Sequence, residues 1–448
     1  MSDLLSLGAS GVRAYQTALA TVSDNIANSG TTGYVRRTVT MNEVSGKSAG
    51  LTSTAAATGS GVVVTGITRQ VDALQNQAVR SASTDLAKTE TGSAWLSRIQ
   101  SALTGNQLGD GVTGFYTAAT TLASDPGSLT SRASMLEAGT TAASAFAATG
   151  RALAQVGTDL DTTGDQATTQ LSSLAGALAK VNDGLGRTPP GTSAAANLQD
   201  QRDQLLDQMS AISDVNVSTD SLGRSTVRVG GSGGPTLVNG TDAGVVTYHR
   251  NDDGAVSFAV HMSGQTTALS PNGGTLAGLV DGAQKIKDAQ TRLNASASAF
   301  TGSVNAVQTG GSDLDGNQGT AFFTTGASPT DISLAISDPR KIAAASLGGG
   351  SRDGSNLDAL QAARTGSGVE SGITTLVTDN AAALSQRTTV ADAQTAIHDN
   401  AVGARASGST VDLDTEAVDL LRYQQAYSAA SRVVQVAKET FQSILDIR

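Results

Sequence analysis

The sequence predicts a mainly α-helical chain with one β insertion. Three observations carry this: heptad-spaced apolar residues at both ends, long alanine-rich tracts between them, and a switch from a period near 3.6 to a period of 2 around residue 215. At 448 residues the length suggests about three domains, enough for real hydrophobic cores.

At the N-terminus, Leu5, Val12, Leu19 and Ile26 recur every seven residues, with Gly8, Tyr15 and Val22 three residues after the first three. This is the seam of a helix that packs along another helix. It should begin after Ser2, a potential cap, and stop near Asn28-Ser29-Gly30. Residues 70 to 210 read as helices broken by short loops. One runs from Val71 to about Leu103, followed by turns at Gly105 and Gly109 to Gly114 and by a break at Asp125-Pro126. A second covers Ser131 to about Gly186 and ends before Pro189-Pro190-Gly191. A third runs from Ala194 to Ile212, and the alternating charges of Leu198-Gln199-Asp200-Gln201-Arg202-Asp203-Gln204-Leu205-Leu206-Asp207 suit a face outside a bundle.

From Val215 the pattern is that of half-buried strands. Val227 and Val229 alternate with polar neighbours, as do Val256, Phe258, Val260 and Met262 after the turn Asn251-Asp252-Asp253-Gly254. Helix returns from about Thr275 to Val307, loops and short strands occupy 308 to 350, and a mixed tract runs through Leu357-Leu360 and from Ile373 to Ile397. The last helix runs from about Thr415 almost to Arg448. Its seam is Leu413, Leu420, Tyr427, Val434 and Phe441, with Tyr423, Ala430, Ala437 and Ile444 at the alternate spacing. Asp412 and Asp414 are cap candidates, and Glu416 suits the positive end of the helix dipole. Glu416 also takes an inner position, so the apolar seam should begin one turn later.

These boundaries divide the chain into an N-terminal helix (1–35), a helical body in two parts (36–213 and 273–408), a β-rich insertion (214–272) and a C-terminal helix (409–448). Isolated helices of this kind are marginal in water. Either the terminal helices pack on an ordinary core, or they pair with each other and with copies of themselves. The candidate interface is Leu5, Val12, Tyr15, Leu19, Val22, Ile26, Leu420, Tyr423, Tyr427, Val434, Phe441 and Ile444. Ordering about 60 terminal residues costs roughly 60–120 kcal/mol of backbone entropy, whereas each buried seam residue returns only about 1.5–3 kcal/mol. A lone pair of stripes is therefore expected to be loose until copies assemble.

Composition excludes several functions. The chain has 29 basic and 39 acidic residues, a net charge of -10, and no basic footprint for nucleic acid. With no cysteine it can form neither disulfides nor thiolate metal sites. No stretch has the ~18 apolar residues of a membrane span, and the first 30 residues do not read as a cleavable signal peptide. Asp313-Leu314-Asp315-Gly316-Asn317-Gln318 has calcium-loop spacing, but Gln318 and Thr324 stand where Gly and Glu belong, so it reads as a turn. Gly230-Gly231-Ser232-Gly233-Gly234-Pro235 lacks a phosphate-binding pattern. His249 and His261 fall on facing strands and His398 is remote; they read as surface residues. No serine-nucleophile elbow or paired-carboxylate site stands out. No catalytic, cofactor or metal residues are assigned.

Ser23-Asp24-Asn25-Ile26-Ala27-Asn28, followed by Thr31-Thr32-Gly33-Tyr34-Val35-Arg36, resembles the N-terminal signature of bacterial flagellar rod, hook and hook-associated proteins. Ser10-Gly11-Val12-Arg13-Ala14-Tyr15-Gln16 fits the same pattern, as do Val411-Asp412-Leu413-Asp414 and the run Leu420 to Tyr427. Asp24 and Thr32 depart from the usual Asn and Pro. In the middle, Gln201 to Asp207, Thr236-Leu237-Val238-Asn239-Gly240, Gly319-Thr320-Ala321-Phe322-Phe323 and Asp338-Pro339-Arg340-Lys341-Ile342-Ala343-Ala344-Ala345 resemble the FlgK family of the hook–filament junction. The resemblance implies an extracellular structural adaptor rather than an enzyme, exported by the flagellar type III route without a cleaved signal peptide. Its implied partners are hook protein, the next hook-associated protein, copies of itself in a ring and an export chaperone. Another axial component, of hook or distal rod, is the nearest alternative; a secreted adhesin or enzyme using the β insertion is the alternative of a different class.

Overall fold

A computed structural model of the chain describes residues 2–44 and 61–446. The N-terminal helix α1 spans Ser2–Asn28, about 40 Å at 1.5 Å per residue; the side chain of Ser2 lies outside the described residues. A hairpin of β1 (Arg37–Glu43) and β2 (Val62–Arg69) returns along α1. The body then runs through α2 (Ala73–Thr104), α3 (Leu108–Ser124), α4 (Leu129–Arg187) and α5 (Ser193–Ile212). With 59 residues, α4 is a rod of about 88 Å that α2, α3, α5, the later sheets and the returning helix pack against.

The sequence reads turns at Gly109 to Gly114, but α3 passes straight through them. Leu108, Val112, Phe115, Tyr116, Ala119 and Leu122 form one fully buried helical stripe, which outweighs the roughly 1 kcal/mol that each interior glycine costs a helix. Gly111 lies on the side of α3 that faces Ala142 and Ala145 on α4.

Two small antiparallel sheets follow. One orders β3 (Val215–Thr219), β4 (Ser225–Val229), β5 (Thr236–Asn239) and β6 (Asp242–Ala243). The other orders β7 (Val245–Arg250), β8 (Val256–Met262) and β9 (Gln265–Leu269). Val227, Val229, Phe258 and Val260 face the core, as their alternation requires. The register pairs His249 with Ser257 and His261 with Val245, so the two histidines are not cross-strand neighbours. His261 instead contacts the hydroxyls of Thr247 and Thr266.

The chain returns through α6 (Gly274–Gly310), short strand pairs, α7 (Ser355–Ser367), α8 (Val369–Ser409) and α9 (Leu413–Leu445). The tract read as mixed from Ile373 to Ile397 is thus one 41-residue helix. Its apolar residues thin out after Leu376 because it holds α2 largely through polar groups: Asn380 donates to the Leu96 carbonyl and to Gln100, and Arg387 lies over Gly92 while pairing with Asp281. The expectation that the last helix nearly reaches Arg448 concerns, at its end, residues 447 and 448, outside the described residues.

The deepest core gathers Phe115, Tyr116, Phe146, Phe300, Phe322 and Phe323, with ring centroids 4.7 to 6.1 Å apart in the contacts among them. Asn305 on α6 fixes the last two, accepting from the amides of Phe322 and Phe323 and donating to the Phe323 carbonyl. In the Asp313 turn, Asp313 accepts from the amides of Asp315 and Asn317 and from Lys341, while Asp315 pairs with Arg340. Among the described residues no helix is long and apolar enough to cross a membrane.

The β7–β9 sheet seats on α4 through glycine notches. Gly164 receives the Tyr248 ring, where a Cβ would lie 2.7 Å from ring carbons, and the Tyr248 hydroxyl donates to Asp161 at 2.5 Å. Arg250 donates to Asp161 and to the Gly157 carbonyl. Gly164→Val should lower stability by about 1–3 kcal/mol through overpacking. Thermal unfolding should show that loss, with part of it recovered in the Gly164→Val/Tyr248→Ala double variant.

Candidate assembly interface

The seams of α1 and α9 meet in one antiparallel pair. Gly8 lies against Val434, Gly11 against Ala430, and the rings of Tyr15 and Tyr423 are 6.4 Å apart. Asn25 bonds Glu416 at the other end. A Cβ on Gly8 would come within 2.7 Å of Val434 Cγ2, so this glycine lets the backbones approach. Of the candidate seam residues, Val22 is buried, and Val12, Tyr15, Leu19, Ile26, Leu420, Tyr423, Tyr427 and Val434 are half-buried. Leu5, Phe441 and Ile444 remain exposed. Most of the heptad stripe is therefore spent between α1 and α9 of one chain.

A second apolar face points away from that seam. It includes Val418, Leu421, Val433 and Val436 on α9, while Leu413 on the seam and Leu4 and Leu7 near the start of α1 are also exposed. Val418 is 66% exposed, and Leu421 and Val436 are each 59% exposed. Heptad counting missed Val418, Leu421, Val433 and Val436 because they lie off the seam; their signal is that α9 carries more apolar residues than one stripe needs. The antiparallel register puts Leu4, Leu5 and Leu7 at the same end as Phe441 and Ile444, leaving that end of the pair apolar and uncovered.

The opposite end is polar and buried. Glu416 is completely buried and accepts from Arg36 Nε at 2.6 Å and from Asn25 Nδ2 at 3.0 Å. Arg36 also reaches Asp419, at 3.3 Å. Asn25 closes a short loop: its Oδ1 accepts from the Arg37 amide and the Tyr34 hydroxyl, and its Nδ2 also donates to the Arg37 carbonyl. The Arg37 guanidinium lies 4.5 Å from the centroid of the Tyr34 ring. Gly33, at φ +79°, makes the turn into this loop, and Gln204 on α5 donates to the neighbouring Thr32 carbonyl. Burial pushes the Tyr34 hydroxyl above its ordinary pKa, against the opposing pull of Arg37. The signature segment thus has structural work at Asn25, Gly33, Tyr34 and Arg36. Its departures, Asp24 and Thr32, are exposed.

Arg37 continues the network into the body. Its Nη2 donates to Asn197 and Asp200 on α5, both at 2.7 Å. Arg69 on β2 bonds Asp200 and Asp203, Arg80 on α2 bonds Asp207, and Arg405 on α8 bonds Asp207. The charges on α5 were expected outside a bundle, but Asp200, Asp203 and Asp207 form one helical stripe facing inward. Arginines from four other elements meet it there. Burial pushes the Asp200 carboxyl up, with Arg69 and Arg37 opposing. At Asp203 burial also works upward, but Arg202 and Arg69 outweigh it and hold the carboxyl below the usual range.

The arrangement joins α1, α9, the hairpin, α2, α5 and α8 through buried polar contacts. Among the described residues there is no group of three or more His, Asp or Glu side chains placed to hold a metal.

Two predictions follow from this geometry. Backbone hydrogen exchange should be graded along the pair, slow around Val22 and Glu416 and fast around Leu5 and Phe441. Uniform exchange along both helices would contradict the polar anchor. Asp203 is ionised to lower pH in the folded chain than in the unfolded one, so its contribution is complete above about pH 4 and fades as pH falls through the folded value. The stability gap between the native chain and Asp203→Asn should therefore narrow on acidification, as denaturant titrations at several pH values would show.

The profile of the flagellar hook-associated protein FlgK helical domain matches residues 96–323. The flagella basal body rod protein profile matches 5–34, and that of the flagellar basal body rod FlgEFG protein C-terminal matches 404–447. Flagellar hook-associated protein 1 of Salmonella typhimurium is 29% identical over 341 residues, covering 73% of this chain and 60% of the relative. The chain thus spans about 60% of the length of that relative. The Bacillus subtilis protein of the same name is 24% identical over 487 residues, covering 97% of this chain and 96% of its own. The structure of the flagellar hook junction protein FlgK from Burkholderia pseudomallei aligns with a TM-score of 0.50 at 23% identity, over 56% of this chain and 47% of the other; this is a likeness of fold.

Proposed function

The chain belongs to the FlgK family of flagellar hook-associated proteins, and from that premise we propose that it is a structural adaptor of the bacterial flagellum, joining hook to filament. The observation that carries the mechanism is the antiparallel α1–α9 pair with a second apolar face left outward. Pairing consumes one stripe of each helix, and the outward face, with Val418, Leu421 and Val436, remains for neighbouring copies in a tube wall. A run of exposed apolar residues along one rod marks a surface meant to be covered.

On this reading the partners are hook protein on one side, the next hook-associated protein on the other, and copies of the chain in a ring. Export through the flagellar apparatus without a cleaved signal, with a chaperone shielding the apolar ends, fits a cysteine-free chain of low charge content. The role is scaffolding, with no catalysis. Residues 1–35 and 409–448 would form the inner tube, 36–213 and 273–408 the helical body, and 214–272 an insertion seated on it.

Leu421→Asp/Val436→Asp tests the outward face. Both side chains are exposed, so the monomer should keep its thermal stability within about 0.5 kcal/mol. Addition to purified hooks, viewed by electron microscopy, should fail. Removal of residues 413–448 should likewise leave the body folded and abolish addition. Normal capping of hooks by either variant would refute the proposed mechanism.

A further inference from the structure

The signature segment ends in Arg36, and Arg37 follows it; the two side chains serve different elements. Arg36 reaches Glu416 and Asp419 on α9, whereas Arg37 reaches Asn197 and Asp200 on α5. Consecutive residues of an extended backbone point to opposite faces, so an Arg-Arg pair at the start of β1 can grip two elements at once. Between these grips lies Asn25. Its amide nitrogen bonds Glu416, and the same side chain holds both backbone groups of Arg37.

We infer that Arg36 and Arg37, joined through the Asn25 side chain, form a two-way clamp in which docking of α9 fixes how the terminal helix pair is seated on the body. Glu416 makes no hydrogen bond or ion pair to Arg37 or Asp200 among the described residues; its bonds go to Arg36 and Asn25. It acts on them by holding the amide that sets the Arg37 backbone. Asn25 and Glu416 are 391 residues apart in sequence, so the clamp closes only when both ends of the chain are present. Glu416 and Asn25 are therefore positioning residues for the hold of Arg37 on α5. Tyr34 supports the same amide from the other side, donating to Asn25 Oδ1 at 2.9 Å.

Burial sharpens the dependence. Glu416 is fully buried and the Arg37 side chain is 2% exposed, so neither can exchange its partner for water without moving. A buried charge that loses its partner leaves an uncompensated group, which drives local rearrangement. The clamp concerns the single chain and stands whether or not the protein caps hooks.

The absence of native cysteine allows site-specific spin labelling of the full chain. One label pair, Ser23→Cys with Ser428→Cys, reads the distance within the helix pair. Another, Ser97→Cys with Ser428→Cys, reads pair against body; all three serines are exposed. Arg37→Ala should broaden the pair-to-body distribution and leave the within-pair one narrow. Glu416→Gln and Asn25→Asp, close to isosteric, should broaden the pair-to-body distribution although neither residue touches α5. Adding Asp200→Asn to Glu416→Gln should broaden it little further, because the same hold is already released. Circular dichroism on each variant confirms retained helix, and for a variant that loses it, Tyr34→Phe supplies the milder break in the same amide. A narrow pair-to-body distribution in Glu416→Gln, or independent broadening by Glu416→Gln and Asp200→Asn, would overturn the clamp.

Discussion

The buried amide of Asn25 is the constraint on which the rest of the terminal architecture depends. It satisfies the carboxylate of Glu416, both backbone groups of Arg37 and the hydroxyl of Tyr34 within one turn of α1. Polar groups withdrawn from water this completely are tolerable only when nearly every donor and acceptor is met. Only one relative orientation of α1, β1 and α9 meets all of them. Apolar stripes alone would permit sliding along the pair; the hub does not.

Specificity and adhesion are accordingly divided between the two ends. Near Asn25 the pair is pinned by directional bonds to charged groups. Toward Leu5 and Phe441 it relies on glycine-permitted close approach and on side chains that remain half covered. The body shows a similar division. Its aromatic centre around Phe300 supplies nondirectional burial, while the stripe Asp200, Asp203 and Asp207 collects arginines that fix where the hairpin, α2 and α8 attach. Burying charge is costly in itself, so this stripe is better understood as setting geometry than as adding stability.

Much of this was legible from the residues. The 3–4 alternation located both terminal helices within a few residues, and it named the seam through Gly8, Tyr15, Val22, Tyr423 and Val434. The period change near Val215 located the sheets. The failures share one cause, because periodicity records which residues are apolar and not which polar residues are inside. Glu416 read as a helix-dipole partner that merely delayed the seam, yet it is buried within it. Asp200 and Asp203 read as solvent-facing because charge usually is. Asn25 and Arg36 lay in plain view in the signature, but their roles require Glu416, some 400 residues distant, to be brought alongside. Gly109 to Gly114 misled in the opposite sense, because tertiary burial of Phe115 and Tyr116 overrode local propensity.

The expectation that the terminal pair would be loose in the single chain set apolar return against backbone entropy and counted nothing else. That sum omitted the β1–β2 hairpin, which packs on another side of α1, and the hub, which ties the pair to the helical body and its core. A helix docked on a preformed scaffold does not have to supply its own orientation, so fewer contacts suffice to hold it. The same reasoning separates the two apolar faces. The inner one is used to complete the chain. The outer one, on α9 around Leu421 and Val436, is mostly exposed in the protomer. Its large apolar side chains stay beside solvent in the single chain, which is why the proposed contact between copies is placed there.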